Sequence, residues 1–296
     1  MRKECSVQAY AKINLSLDVL GKLPNGYHEV KMVMQQVDLW DRVTVSCQEL
    51  PAGEETVIRG STTRGDLPMD ETNIAYKAAK LMKETYRPDR EYDITVTLDK
   101  RIPMAAGLAG GSADGAAVMR ALARLWEVNE APEALAALSA KLGSDVPFCL
   151  MGQEGQFCAL AEGTGTELTP VTPLSAWIVL SKPPVSVPTR EVYGNLHLEG
   201  VCHPDVDQMV RGLKTHNLPL VLSNMGNVLE TSTLPLYPVV GETKRAMESL
   251  GLANAVLMSG SGPTVFGVFM NKKKAQSAYR SMKQVNDETF LIRTLV

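Results

Sequence analysis

Residues 103–122 read PMAAGLAGGSADGAAVMRAL, small residues crowded ahead of a helical pattern. Gly107, Gly110 and Gly111 lack a Cβ, so the chain there can turn left-handed and bring N–H groups close to a ligand. With Ser112 as N-cap, the following helix would aim its unpaired N–H groups and positive dipole end at the same point, which suits a phosphate. The spacing is neither the GxxxxGKS nor the GxGxxG pattern, and the HRD and DFG signatures of protein kinases are absent. The same small residues would also serve a tight loop with close helix packing, so the loop alone leaves both uses open.

Further stretches hold chemistry-bearing side chains. SGSGPTVFG, residues 259–267, alternates glycine with small hydroxyls between apolar strands. It could press its backbone on a ligand or on another loop, or be a bulged hairpin. In AYAKINLSLDVLG, Lys12 and Asn14 share one strand face, their Cα atoms about 7 Å apart, opposite an apolar face. The alternative is a solvated strand face. Tyr27 and His28 follow in NGYH. Asp145, in KLGSDVPF, is a turn or cap carboxylate, or a base able to take a hydroxyl proton if a lysine holds it ionised.

The elements that must position these residues follow from periodicity. Residues 7–19 alternate apolar and polar, which predicts a strand with one buried face. Asn25-Gly26 then supplies a turn. EVKMVMQQVDL and RVTVSCQEL read as strands, and 51–70 as hairpins and loop. Thr72 caps a helix, YDITVTL is a strand, and a short helix runs over about 133–142 with Gly143 as its C-cap. Past the Gly- and Pro-rich stretch 152–173, a second block begins with the strand AWIVLSKP. A helix or turn at VPTREVYGNL follows, then helical patterns near 204–214, 217–230 and 238–250, the last closed by Gly251. Strand, glycine loop and strand over NAVLMSGSGPTVFGVFM, a helix over 272–284 and the strand TFLIRTL complete the chain. Strands and helices mix without a regular βαβ series, which favours α+β.

Composition narrows the function classes. The 296 residues are 45% hydrophobic and 21% charged, an ordinary globular balance whose length favours two domains. A net charge of -3 gives no basic field to draw nucleic acid or an anionic membrane, so a small molecule is the expected partner. No apolar run approaches the ~20 residues of a membrane span. The N-terminus reads as a strand, not a signal peptide, which points to a cytoplasmic protein. Five scattered cysteines without a CxxC fit a reducing compartment. His28, His197, His203 and His216 show no metal spacing. Nothing in the sequence indicates an oligomeric state.

Taken in order, the AKINL strand, the loop P-x-x-x-G-L-x-G-G-S and the SGSGP loop resemble the motifs of the GHMP kinase superfamily of small-molecule ATP kinases. AYAKINLSLDVLGKLPNGYHEV with QQVDLWDRV, LGSDVPF and VSVPTREVY narrow the resemblance to one branch. That branch phosphorylates the 2-hydroxyl of 4-diphosphocytidyl-2-C-methyl-D-erythritol on the methylerythritol phosphate route to isoprenoid precursors. The resemblance runs from about residue 8 to about 270, and NGYHEV is its most diagnostic part. It implies the α+β two-domain GHMP kinase fold, with an N-terminal ribosomal-protein-S5-domain-2-like lobe over 1–160 and a C-terminal ferredoxin-like lobe over 161–296.

The resemblance also implies roles. Lys12 and Asp145 match the catalytic pair, Asp145 as base on the acceptor hydroxyl and Lys12 polarising that region. Asn14, Tyr27, His28, Thr189 and Tyr193 match substrate-binding positions, with the cytosine between two rings. Pro103, Met104, Ala105, Ala106, Gly107, Leu108, Ala109, Gly110, Gly111, Ser112 and Ala113 match the ATP phosphate loop, and Asn73 and Lys100 positions near the adenine. ATP with Mg2+ is the implied cosubstrate, and no protein metal site is implied. Ala105 and Ala106 stand where some members carry glycine, so positive φ is not expected there. Ala113 replaces a frequent serine, Asn25 a common Asp, and Tyr193 a position that can be Phe. Two rival readings are a homoserine, mevalonate or sugar kinase of the superfamily, and an inactive member that only binds ATP or a metabolite. The NGYH stretch and Tyr193 oppose the first, since those acceptors have no base to stack; Lys12 and Asp145 together oppose the second.

Overall fold

The computed structural model describes residues 1–24 and 26–296, so the expected turn residue Asn25 lies outside them. The chain divides into two compact units that interleave along the sequence. The first comprises Met1–Ala11, Leu39–Ile102 and Ala109–Gly155; the second comprises Lys12–Asp38, Pro103–Leu108 and Gln156–Val296. Residues 1–160, expected as one domain, are thus shared between both units.

The strands β1 (Lys3–Lys22) and β2 (His28–Glu49) are neighbours in one sheet and run through both units. Each is longer than the alternation suggested, and EVKMVMQQVDL and RVTVSCQEL form one strand rather than two. In the first unit β2 pairs antiparallel with β4 (Tyr92–Asp99), and β4 pairs parallel with β3 (Val57–Thr62). Residues 51–70 therefore hold no hairpin: β3 reaches β4 through the helix α1 (Ile74–Tyr86), because a parallel pair needs a crossover. The helices α2 (Gly110–Leu125), α3 (Pro132–Ser139) and α4 (Val146–Gly152) complete this unit. Its core joins Val43, Val45, Ile94, Val96 and Leu98 of the sheet to Ala78 and Met82 of α1 and Ala117, Met119 and Leu122 of α2.

Three caps differ from expectation. Asn73, not Thr72, caps α1: its Oδ1 accepts from Ala75 N at 2.9 Å, while the Thr72 hydroxyl donates to Asp70. The helix α2 begins at Gly110 with Ala109 as N-cap, so Ser112 lies inside the first turn. Gly143 is likewise not the C-cap of α3, which ends at Ala140.

In the second unit β2 pairs with β5 (Cys158–Glu162), which forms a hairpin with β6 (Glu167–Pro170). An antiparallel sheet orders β11-β7-β10-β9, from β7 (Trp177–Lys182), β9 (Ala255–Met258), β10 (Val265–Phe269) and β11 (Glu288–Arg293). The helices are α5 (Thr189–Gly194), α6 (Val206–Lys214), α7 (Leu218–Ser223), α8 (Glu230–Leu236), α9 (Pro238–Ser249) and α10 (Lys272–Met282). The helix expected over 217–230 is broken by β8 (Gly226–Asn227), which pairs parallel with Ser16 and Leu17 of β1. The element types expected at 204–214, 238–250 and 272–284 are found there.

The small residues of α2 do serve packing at one point. An added Cβ on Gly115 would stand 2.6 Å from Ile74 Cγ2 of α1. Gly115→Ala should therefore cost roughly 1–3 kcal/mol through overpacking, outweighing the roughly 1 kcal/mol that alanine gains over glycine in a helix. In an Ile74→Ala background the same change should become neutral or favourable. Urea unfolding of wild type, both single variants and the double variant checks this.

Candidate active site

Lys12 and Asn14 sit on β1 as neighbours on one face, the spacing that a strand gives to every second residue. That face is not solvated: Lys12 is 4% exposed and Asn14 fully buried. The ammonium of Lys12 donates to Asn14 Oδ1 at 2.8 Å, and Asn14 Nδ2 faces Met32 Sδ at 3.2 Å. A charge kept this far from water needs polar partners close by, and strand geometry supplies one of them.

Two loops of the same unit meet beside Lys12. The backbone N–H of Lys12 donates to Leu108 O at 3.1 Å, and Ser259 Oγ donates to Gly107 O at 2.9 Å. Gly107 has φ +71, and an added Cβ there would lie 2.2 Å from Ser259 O and 2.9 Å from Gly262 O. The SGSGP stretch is thus the connection of an antiparallel β9–β10 pair that presses its backbone on another loop. Gly260, with φ +56, has its Cα face toward Lys12: an added Cβ would be 3.5 Å from Nζ. Thr189, at the start of α5, shares a hydrogen bond with Ser261 Oγ at 2.9 Å.

Left-handed residues recur at every second position of the loop: Ala105 (φ +48), Gly107 and Ala109 (φ +56). This corrects the expectation that Ala105 needs no positive φ, and moves the backbone work off Gly110 and Gly111, which are helical. Such alternation turns successive N–H groups into one concavity, the shape that holds an anion. An alanine at positive φ is strained, and such strain collects at binding sites. Gly110 has a packing reason for lacking a side chain, since an added Cβ would be 3.0 Å from Ile102 Cγ2.

The aromatic residues are also distinct in environment. Tyr27 is 63% exposed, whereas the His28 and Tyr193 rings meet at 4.9 Å between centroids and a 35° tilt. Burial, helped by the charge of Lys22, lowers the His28 pKa below its ordinary value. The imidazole is therefore neutral near neutral pH, with one nitrogen as donor and one as acceptor.

In the first unit, Asp145 is the N-cap residue of α4 and its carbonyl accepts from Cys149 N at 3.1 Å. Asn73 Nδ2 donates to Pro68 O at 2.8 Å, so both ends of its amide hold the α1 terminus. Lys100 is 4% exposed at its side chain and lies between the carboxylates of Asp41 and Asp114, 2.6 Å from the latter. Asp41 also accepts from the backbone N–H groups of Arg101 and Ile102. Asn73 and Lys100, expected near the adenine, have these partners within this unit, and Asp41 and Asp114 escaped sequence reading because only folding gathers them.

The cluster of Asp41, Lys100 and Asp114 has two carboxylates for one ammonium. Burial, reinforced by the charge of Asp41 against the opposing pull of Lys100, pushes the Asp114 pKa up to about 7. Burial alone would lower the Lys100 pKa, but the two carboxylates outweigh it and raise it, so Lys100 stays charged.

Residues 73–153 match the GHMP kinases N terminal domain and residues 209–288 the GHMP kinases C terminal family. The chain is 48% identical over 291 residues to the 4-diphosphocytidyl-2-C-methyl-D-erythritol kinase of Geobacillus kaustophilus (strain HTA426), spanning 98% of this chain and 97% of that one. The Bacillus subtilis (strain 168) enzyme of the same name is 45% identical over 289 residues, spanning 97% and 96%. A crystal structure of 4-(cytidine 5'-diphospho)-2C-methyl-D-erythritol kinase superposes with a TM-score of 0.79 at 31% identity, covering 99% of this chain and 100% of the other.

The Asp114 carboxyl sets a pH dependence whose sign is fixed. Between its ordinary value of 3.8 and about 7, the native state binds a proton that the unfolded chain releases. Stability from this group therefore falls as pH rises through that window. Asp114→Asn stays neutral, so the unfolding free energy of the variant relative to wild type should rise between about pH 4 and about pH 7 and level off above. Urea titrations at about pH 5 and about pH 8 check it; an equal difference at both would refute the assignment.

Proposed function

The chain belongs to the 4-diphosphocytidyl-2-C-methyl-D-erythritol kinase family of the GHMP kinases, and from that membership we propose how its own residues carry the reaction. It is a kinase that transfers a phosphoryl group from ATP to 4-diphosphocytidyl-2-C-methyl-D-erythritol, in the methylerythritol phosphate route to isoprenoid precursors. The observation that carries the residue assignments is the buried ammonium of Lys12, held at Asn14 and overhung by the docked 107–108 and 259–262 backbones. A lysine at 4% exposure, set among polar backbone and an amide, is a charge kept at a fixed place, as a phosphoryl-transfer site requires.

In this reading the loop 103–113 receives the ATP polyphosphate with its converging N–H groups and the α2 N-terminus. Asp145 takes the proton of the acceptor 2-hydroxyl, and Lys12 stabilises the negative charge that develops around that oxygen. Phosphoryl transfer asks a protein chiefly for positioning and charge neutralisation, which is what these groups offer. Asn14 and Thr189 hold the acceptor portion. Tyr27, His28 and Tyr193 take the cytosine, whose exocyclic 4-amino group can donate to the acceptor nitrogen of neutral His28. The base stacks between the Tyr27 and Tyr193 rings, with the His28 imidazole 4.9 Å from the Tyr193 ring between centroids. Mg2+ enters as its complex with ATP. Among the described residues no group of three or more His, Cys, Asp and Glu could hold an ion, and a hard cation is well served by phosphate oxygens. The bound ion neutralises phosphate charge. Among the described residues no helix is long and apolar enough to cross a membrane.

The base assignment predicts that Asp145→Ala lowers kcat by about 10²–10⁴-fold while the Kd for ATP stays within a few-fold of wild type. ADP-release kinetics and nucleotide titration measure the two; undiminished kcat would remove Asp145 from the mechanism. The ring assignment predicts a split of the opposite kind. Tyr193→Ala should raise KM for the cytidine substrate by about tenfold, given stacking worth ~1–3 kcal/mol per base, with KM for ATP unchanged. Mevalonate and homoserine, offered at matched magnesium, should give no ADP release above background.

A further inference from the structure

We propose that Asn227 is a positioning residue for phosphoryl transfer, closing a ring of contacts that fixes where the Lys12 ammonium stands. The proposal rests on the reading of Lys12 given above. Asn227 lies in β8 and is 8% exposed. Its Nδ2 donates to Met258 O and to Gly260 O, each at 2.8 Å, and its Oδ1 accepts from Leu229 N at 3.0 Å. Every hydrogen-bonding atom of the amide is thereby engaged with backbone.

These bonds tie the 259–262 loop to the strand that carries Lys12. Asn227 is the bridge partner of Leu17 in β1, and Val228 N donates to Leu17 O at 3.0 Å. From Asn227 the ring passes to Gly260, and from Ser259 Oγ to Gly107 O at 2.9 Å. From there it returns through Leu108 O to Lys12 N at 3.1 Å, on the same strand. The ammonium of Lys12 lies against the Cα face of Gly260, a member of this ring. Without the Asn227 donors, the carbonyls of Met258 and Gly260 would be left without these partners in a buried place, and the loop could relax away from Lys12.

The chemistry at 227 requires donors. A carboxylate of the same size would set its oxygens against two carbonyl oxygens. Asn227→Asp should therefore displace Gly260 with little change in volume, and a misplacement of about 1 Å can cost about 10²-fold in rate. The cytosine-binding rings are not part of the ring of contacts, so KM for the cytidine substrate should move less.

The test is a double-variant cycle on the full chain. Asn227→Asp should lower kcat by about ten- to a hundredfold, with KM for the cytidine substrate within about threefold of wild type. In a Lys12→Ala background the same change should lower kcat no further, because its effect acts through Lys12. A role in general loop integrity would instead lower kcat equally in both backgrounds, and that result overturns the proposal, as does undiminished kcat in Asn227→Asp alone. If Lys12→Ala itself keeps wild-type kcat, the Lys12 assignment fails, and this inference with it. Should Asn227→Asp not fold, Asn227→Ala removes the donors without adding charge and carries the same cycle.

Discussion

Contact between two stretches of bare backbone is the constraint around which the site is built. Gly107 lies against Ser259 and Gly262 so closely that a single Cβ would overlap a carbonyl oxygen at 2.2 Å. The docking is made by main chain and by one hydroxyl, Ser259 Oγ donating to Gly107 O, and it depends on left-handed turns. Because Leu108 then accepts from the backbone of Lys12, the docking also sets the surroundings of the buried ammonium. Loosening any one of these contacts would leave main-chain carbonyls buried without partners.

Two buried lysines of this chain show how partners decide what a charge can do. Lys100 stands between Asp41 and Asp114, whose combined charge exceeds its own, and ties the strand end at residues 101–102 to the first turns of α2. Such a cluster fixes structure and is tuned by a proton on Asp114. Lys12 donates to the amide oxygen of Asn14 at 2.8 Å, a neighbour on its own strand that orients the ammonium. The same residue type thus stands between two carboxylates in one unit and against an amide and two loop backbones in the other.

The loop at 103–113 serves both purposes that small residues have. Gly115 and Gly110 answer to packing, against Ile74 and Ile102. Ala105, Gly107 and Ala109 answer to backbone shape, two of them alanines where glycine would be less strained. Strain held at such positions is paid for by the docked surroundings, which fits a loop whose N–H directions matter.

Much of this was legible in the chain itself. Alternation along β1 puts Lys12 and Asn14 on one face whatever surrounds them, because side chains of a strand repeat every second residue. The order of the AKIN, GLAGGS, GSDVP and SGSGP stretches identifies the kinase family without coordinates. Local signals were less decisive at the caps, since Thr72 and Asn73 are both good cap formers and only the bond to Ala75 N separates them. Burial of the Lys12 face, the positive φ of Ala105 and the gathering of Asp41, Lys100 and Asp114 could not be read, because each is imposed by residues remote in sequence. Asn227 marks the same boundary: the sequence reads as helix through 217–230, and its role arises only when β8 comes to lie beside β1 and the 259–262 loop. Sequence thus determined which groups are present and which neighbours share a face, through covalent spacing. Tertiary structure decided which of them are buried, paired and strained, because those properties belong to contacts between distant segments.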